Sequence, residues 1–362
     1  MKLSHLSHLW PGVPLALASA MLFGATAPLS KLLLGQIDPQ LLAGLLYLGA
    51  GLGLAAGRLT RHAFGLPAPE APLRGADAPW LAAVVLFGGV LGPLFLMLGL
   101  NLTDAASGSL LLNLEGLATM AIAWVVFREN VDRQLLLGAF AILLGACILS
   151  WEGRGVSVDA GAVLIAVACL AWGIDNNLTC KLSSSDPVQI AMAKGLVAGA
   201  VNIAIALMRG AALPAGGAAG AAAVLGFLGV GVSLVLFVLA LRHLGTARTG
   251  AYFSLAPFIG AVVAIGLLHE PLTLKLLFAG GLMGVGLWLH LFERHVHDHE
   301  HGALEHEHSH MHDEHHQHAQ AGAVVEPHPH RHRHEPLRHS HAHYPDLHHR
   351  HEHGSFAAPR LH

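Results

Sequence analysis

Ten stretches of about 20 largely apolar residues recur along this chain, and that is the length a helix needs to cross roughly 30 Å of hydrocarbon. They run approximately over 12–34, 39–57, 79–101, 106–126, 133–151, 159–181, 187–208, 219–241, 246–268 and 272–292. Their apolar character is continuous, without the period-two alternation of barrel strands, so they are read as helices. An apolar content of 54% against 12% charged residues, with mean hydropathy +0.55, fits a chain solvated by lipid. The first 292 residues carry 14 basic and 12 acidic side chains, a balance that indicates neither a nucleic-acid footprint nor a binder of acidic substrates.

The start of the chain imitates a secretory signal, with Lys2, an apolar run and small residues at 16–20. The apolar run continues to Leu34, so a retained first membrane helix is expected. With the amino terminus inside, Lys2, Arg58, Arg61, Arg74, Arg128, Arg133, Lys181, Arg242, Arg248 and Arg294 fall on the cytoplasmic side. Lys31, Arg154, Arg209 and Lys275 fall outside, and ten against four places both termini in the cytoplasm. Gly49/Gly53/Gly57, Gly88/Gly92 and Gly280/Gly284 are spaced to let helix backbones approach closely, although a chain rich in Gly and Ala also produces such spacings by chance. Pro28, Pro93 and Pro257 are expected to kink or loosen their spans. Cys147, Cys169 and Cys180 lie in apolar stretches with no CxxC spacing and read as small core side chains.

The chain also repeats itself. Residues 100–148 align without gaps onto 241–289 at an offset of 141, setting Glu129 on Glu270, Gly145 on Gly286 and Leu114 on Leu255. Upstream the offset becomes 149, with Phe23-Gly24 on Trp172-Gly173 and Ser30 on Thr179. Each half then holds five spans, and an odd number requires the two copies to enter the membrane in opposite directions. The expected fold is all-α and integral to the membrane: ten transmembrane helices in two inverted five-helix repeats, residues 1–151 and 152–292, followed by a disordered His-rich cytoplasmic tail, residues 293–362.

In these features the sequence resembles the drug/metabolite transporter superfamily and, within it, the EamA-type transporters. The resemblance covers residues 12–292 in two copies, through a small-residue fourth span followed by a Glu at its end and a Gly-bearing fifth span. It implies a ten-helix carrier with a central cavity, moving small metabolites without ATP hydrolysis and residing in a bacterial inner membrane. Where the second copy has the expected Ala256-Pro257, the first has Glu115-Gly116, so the family's substrates do not transfer directly.

Ionisable side chains at bilayer depth cost at least about 2.5 kcal/mol on insertion scales and call for a partner, a cavity or a role. Glu115 lies near the midplane. Asp175 and Lys194 flank the turn at 184–185 at nearly equal distances, which in an antiparallel helix pair means equal depth and a plausible ion pair. Asn176 is available for further hydrogen bonds, and Asn113, two positions before Glu115, is expected to face a different neighbour. With Trp172 these residues form the candidate solute-binding set, and the same ion pair serves equally as a lock on helix packing. Glu129 and Glu270, at helix ends, are expected to make interfacial contacts.

Residues 293–362 hold 23 of the 29 histidines. His297, His299 and His301, and His306, His308, His310 and His312, alternate with other residues beside carboxylates, a donor set suited to divalent Zn, Ni, Co or Cu ions. No cofactor is required elsewhere, and the expected partners are the lipid bilayer and a small-molecule solute, with no nucleic acid. Two other readings stand beside the metabolite carrier: a divalent-metal exporter regulated by the tail, and a non-transporting membrane sensor of metal or pH. An enzyme is not expected, because no Walker A loop, GxSxG elbow or HExxH occurs in a supporting context.

Overall fold

The computed structural model describes residues 12–65, 73–127, 133–151, 159–179, 182, 185–244, 249 and 252–291, together with four tail segments. Helix α1 (Gly12–Leu34) leads into α2 (Pro39–Ala63). The third span is composite: α3a (Ala78–Val84), a π-helical turn (Val85–Leu91) and α3b (Gly92–Leu102). The fourth is broken into α4a (Ala105–Leu111) and α4b (Leu114–Phe127), and α5 (Arg133–Ser150) follows. The second half repeats the plan with α6 (Ala160–Thr179), α7 (Pro187–Met208), α8a (Gly216–Gly226), a π-helical turn (Phe227–Val232) and α8b (Ser233–Leu244). It ends with α9 (Ala256–Leu268) and α10 (Leu274–Leu291). Among the described residues eight helical stretches are long and apolar enough to cross a membrane, and α9 and α10 are shorter apolar helices.

The local sequence explains several of these boundaries. Asp38-Pro39 and Asp186-Pro187 open α2 and α7 in the same way, with an Asp side chain accepting from backbone amides of the first turn and Pro where no donor is needed. Pro93 stands at the start of α3b and Pro257 at the start of α9, so both mark interruptions, whereas Pro28 lies inside a continuous α1. Pro93 withholds the amide that would have met the Gly89 carbonyl four residues back. Asn202 of α7 donates toward that carbonyl and its neighbour Val90, both at 3.4 Å.

The halves exchange partners reciprocally. Helix α2 packs on α7 and α5 on α10; α3b lies on α6 as α8b lies on α1; α4b lies on α6 as α9 lies on α1. Gly44 of α2 faces Ile203 of α7 while Gly51 faces Gly195 and Leu196, so the equivalent helices meet antiparallel. Reciprocal, antiparallel pairing of equivalent helices describes a twofold axis lying across the bundle. At the α2–α7 crossing a Cβ on Gly51 would come within 2.5 Å of the Leu196 amide, so glycine is needed for the approach. Of the glycines singled out by spacing, Gly49 and Gly53 also sit in close contacts, whereas Gly57 has open space around it.

The core is small-residue and aliphatic, with Leu41, Leu42, Met97, Leu100, Leu111, Ile165 and Met283 fully enclosed. The outer faces of α5 and α10 expose Leu136, Leu137, Phe140, Phe278 and Trp288, as a lipid-facing surface does. Cys169 is buried, while Cys147 lies on the exposed face of α5 and is not the core side chain expected of it; Cys180 lies outside the described residues. Lys31, Arg209 and Lys275 gather at one end of the bundle, reaching Thr103, Gln40 and Trp151 respectively. Arg58 lies at the opposite end, paired with Asp186 at 2.9 Å.

In the tail the described segments are strands. Strand β1 (Val296–His301) pairs antiparallel with β4 (Leu337–Ala342), and β2 (Leu304–His310) with β3 (His328–His334). An every-second-residue histidine pattern matches the period of a strand, and the register sets His297 opposite His341, His299 opposite His339, and His308 opposite His330.

Candidate functional site

The site begins at the break in the fourth span. The chain turns at Leu112-Asn113, and the Asn113 side chain bends back to donate to the Leu110 carbonyl at 2.8 Å. The thiol of Cys169 points at the next carbonyl, Leu111, at 3.7 Å. The Leu110 carbonyl thus takes both the backbone and the side-chain amide of Asn113, and the thiol covers the Leu111 carbonyl beside the break. The second repeat turns one residue beyond the matching place, at Ser254-Leu255. Glu115 therefore stands in the first turn of a half-helix, about 15 Å along the span from Ala105 at 1.5 Å per residue, while its counterpart in the second repeat is Ala256.

Helix α6 faces this half-helix with an amide ladder. The Asn176 side chain donates to Glu115 Oε1 at 3.0 Å and to Thr119 Oγ1 at 3.2 Å. Asn177 donates to the Thr119 carbonyl at 3.1 Å and to Gly173 at 2.8 Å. Gly173 makes the contact possible, since a Cβ there would come within 2.8 Å of the Ala118 Cβ. Among the described residues Glu115 forms no ion pair.

One residue back along α6, Asp175 turns to a different wall. Lys194 Nζ of α7 donates to Asp175 Oδ2, and the Thr179 hydroxyl donates to Oδ1 at 3.3 Å. Asp175 is only 4% exposed, so the ammonium and the hydroxyl replace water around it. The pair seats on Gly88 in the π-helical turn of the third span, where any side chain would overlap the carboxylate. Asn176, the next residue along α6, bonds Glu115 and so ties the two carboxylates to one stretch of the bundle.

The Gly88 carbonyl receives two side-chain donors, Tyr47 Oη of α2 at 2.9 Å and Trp172 Nε1 of α6 at 3.0 Å. A π-helical turn misaligns its carbonyls from the amides that would take them, so they are open to such donors. The structure brings Glu115, Asp175, Asn176, Lys194 and Trp172 into one region. Asn113 sits next to it with its amide committed to the backbone. Tyr47, Thr119 and Asn202 join the region without having been singled out in the sequence, and Gly88, singled out only for its spacing to Gly92, joins it as an acceptor of two side chains. Tyr47, a phenol inside an apolar helix, needs a hydrogen-bond partner there, but the sequence does not say which.

Away from this region, Glu270 accepts from the amides of Ala105 and Ala106 at 2.7 and 2.8 Å, the end-of-helix contact expected of it; Glu129 lies outside the described residues. Among residues whose side chains are described, no group of three or more His, Cys, Asp or Glu is placed to hold a metal ion. Of the tail histidines, His297, His299, His301, His306, His308 and His310 are described through their backbone alone, and His312 lies outside the described residues.

A model of the EamA-like transporter family matches residues 10–151 and 159–292. The chain is 30% identical over 302 residues to a protein of Methanothermobacter thermautotrophicus named an uncharacterized transporter, spanning 79% of this chain and 87% of that one. A Pseudomonas aeruginosa protein without a functional name is 32% identical over 210 residues, 58% of this chain and 70% of its own. One crystal structure of a protein superposes with a TM-score of 0.58 at 17% identity, over 77% of this chain and 95% of its own, which shows a shared fold. Two matched segments that take in both halves of a helical, membrane-spanning bundle leave one conclusion: the chain belongs to the EamA-like transporter family.

Proposed function

We propose that this multi-pass membrane transporter is a secondary carrier of a small polar metabolite, working in the direction of export from the cytoplasm. Glu115, Asn176, Asp175 and Lys194 line its binding crevice, with Trp172 and Asn113 at the margin. The observation that carries the reading is the Asp175–Lys194 pair held midway along the spans beside Glu115, a carboxylate with an amide partner and, among the described residues, no ion pair. Charges at that depth are retained where they meet a solute or a proton. A carboxylate and an ammonium within one region suit a solute that carries both signs, and the break in α4 supplies the half-helix terminus that such sites use. The ten-to-four distribution of cations supports a bacterial inner-membrane protein with both termini in the cytoplasm and the repeats inverted across the bilayer.

Flux in proteoliposomes, measured across a panel of amino acids and other zwitterions with and without an imposed pH gradient, tests the assignment. E115Q is expected to lower flux at least tenfold and to flatten its response to the gradient. Flux and gradient response equal to those of the unaltered protein would remove Glu115 from the site.

The histidines favour one addition: the tail binds divalent transition-metal ions at the membrane surface. Two rival readings give that property the main role, a metal exporter fed by the tail and a metal or pH sensor that moves nothing. Cells lacking residues 293–362 separate them: reduced tolerance to Ni, Co or Zn salts favours metal export, and absence of any solute flux favours the sensor. The lack of a metal-holding group among the described core side chains weighs against metal as cargo.

A further inference from the structure

The turn joining the third and fourth spans is gripped from both sides by charges of opposite sign. Lys31, in the last turn of α1, donates through Nζ to the Leu100 carbonyl and, at 2.8 Å, to the Thr103 carbonyl, the exposed carbonyl end of α3b. Glu270, just past α9, takes the first two amides of α4a, one on each carboxylate oxygen. A cation on the carbonyl end and a carboxylate on the amide end each match the helix terminus they meet. His269, the sole non-glycine residue of positive φ among those described (φ 55°), turns the chain that presents Glu270.

The segment so gripped is short and separable. Helix α4a has seven residues, about 10 Å, and ends at the Leu112-Asn113 turn beside Glu115. It lies between the Lys31 end of the bundle and the carboxylate. Its packing is close but its polar groups are incompletely met: among the described residues Ser109 Oγ is buried without a partner, as is Ser30 Oγ on α1. Gly260 of α9 presses on Ser109, since a Cβ there would lie 2.7 Å from the hydroxyl. Buried hydroxyls left bare disfavour the arrangement that buries them, so the grip at the turn opposes a standing tendency to open.

We propose that α4a is a gate over Glu115, pivoting at Leu112-Asn113 and held shut by the clasp of Glu270 and Lys31. Glu270 is thus a positioning residue, acting on solute access through α4a and touching no solute. Opening withdraws Ser109 from the α9 contact and exposes it, with the Glu115 side of the break, to the solution at the Lys31 end. The proposal deepens the carrier reading, yet its motion is measurable without any solute.

The test uses the full-length protein in proteoliposomes, with Cys147, Cys169 and Cys180 replaced by alanine and a single cysteine at S109C or, as a second reporter on the stub, A106C. The rate of modification by a membrane-impermeant maleimide is followed with Glu270 intact and in E270A, E270Q and K31M. At both reporters E270A is expected to raise the rate at least tenfold, E270Q less because it keeps one acceptor, and K31M several-fold. A16C, buried near the other end of α1, serves as the control and is expected to stay protected. Equal rates at the stub with and without Glu270, or a parallel rise at A16C, overturn the gate. A protein that shows the gated labelling but moves no solute would instead count against the carrier reading alone.

Discussion

Glu115 and Asp175 are both carboxylates at depth, but they stand on different footings. Asp175 has a cation and a hydroxyl; Glu115 has an amide. Removing one member of the buried pair strands the other, which in proteins costs roughly 3–5 kcal/mol. K194M is therefore expected to lower the thermal unfolding midpoint in detergent sharply, and the double variant D175N/K194M to recover most of the loss. A double variant that is stable yet carries no flux identifies the pair as solute-binding; one that retains flux reduces it to a packing lock. G88A belongs to the same scale. A methyl group there meets the Asp175 carboxylate and the Lys194 ammonium, and overpacking of this kind costs about 1–3 kcal/mol, so a lowered midpoint is expected although the change is one carbon. The charged members of the region were legible because ionisable residues are rare in apolar runs and depth can be counted from the turns. Tyr47 and Asn202 were not, because they act on backbone carbonyls that become available only where α3 winds as a π-helix. Nothing in the composition of Val85–Leu91 announces that winding.

The two Asp-Pro starts show how a local signal is reused by a duplicated element. Asp38 caps α2 alone, whereas Asp186 caps α7 and also pairs with Arg58 from the end of α2. An N-cap lost to alanine costs typically about 1 kcal/mol. The ion pair adds little, because the Arg58 side chain is 39% exposed and solvent screens it. D38A and D186A are thus expected to lose similar stability at high salt, with D186A the weaker at low salt; denaturant titration at two ionic strengths measures the difference. Helix windows were read to within a few residues at most boundaries, since continuous hydrophobicity marks a span directly. One departure is α2, which runs on to Ala63 through Arg58 and Arg61. Charged residues there end the apolar window but not the helix, because arginine is a good helix former that reaches water at the membrane surface. The breaks at 112–113 and 254–255 were hidden for the opposite reason: apolar residues continue through both, so hydropathy registers no interruption.

For the whole molecule, the repeat in the sequence and the reciprocal packing in space express one duplication, and the functional asymmetry lies in what the copies do not share. At the offset of 149 Thr26 occupies the place of Asp175, and at the offset of 141 Ala256 occupies that of Glu115, so the charge has gathered at one half-site of a nearly symmetric frame. The tail stands outside that frame, its ladders pairing β1 with β4 and β2 with β3. Two-stranded ladders are marginal in water by themselves, and a ligand that binds the paired form stabilises it. The register places histidine opposite histidine at positions contributed by two segments far apart in sequence, 296–310 and 328–342. Metal held across the ladders should therefore depend on both segments at once. Calorimetric titration with Ni2+ is expected to show that deleting 328–342 removes well over half of the binding, and that deleting 296–310 does the same. If each deletion removed only its own proportion of histidines, the ions would be bound by neighbouring residues along single segments. In both cases the bundle ending at Leu291 keeps its flux, because the proposed solute contacts all come from helices α4 to α7.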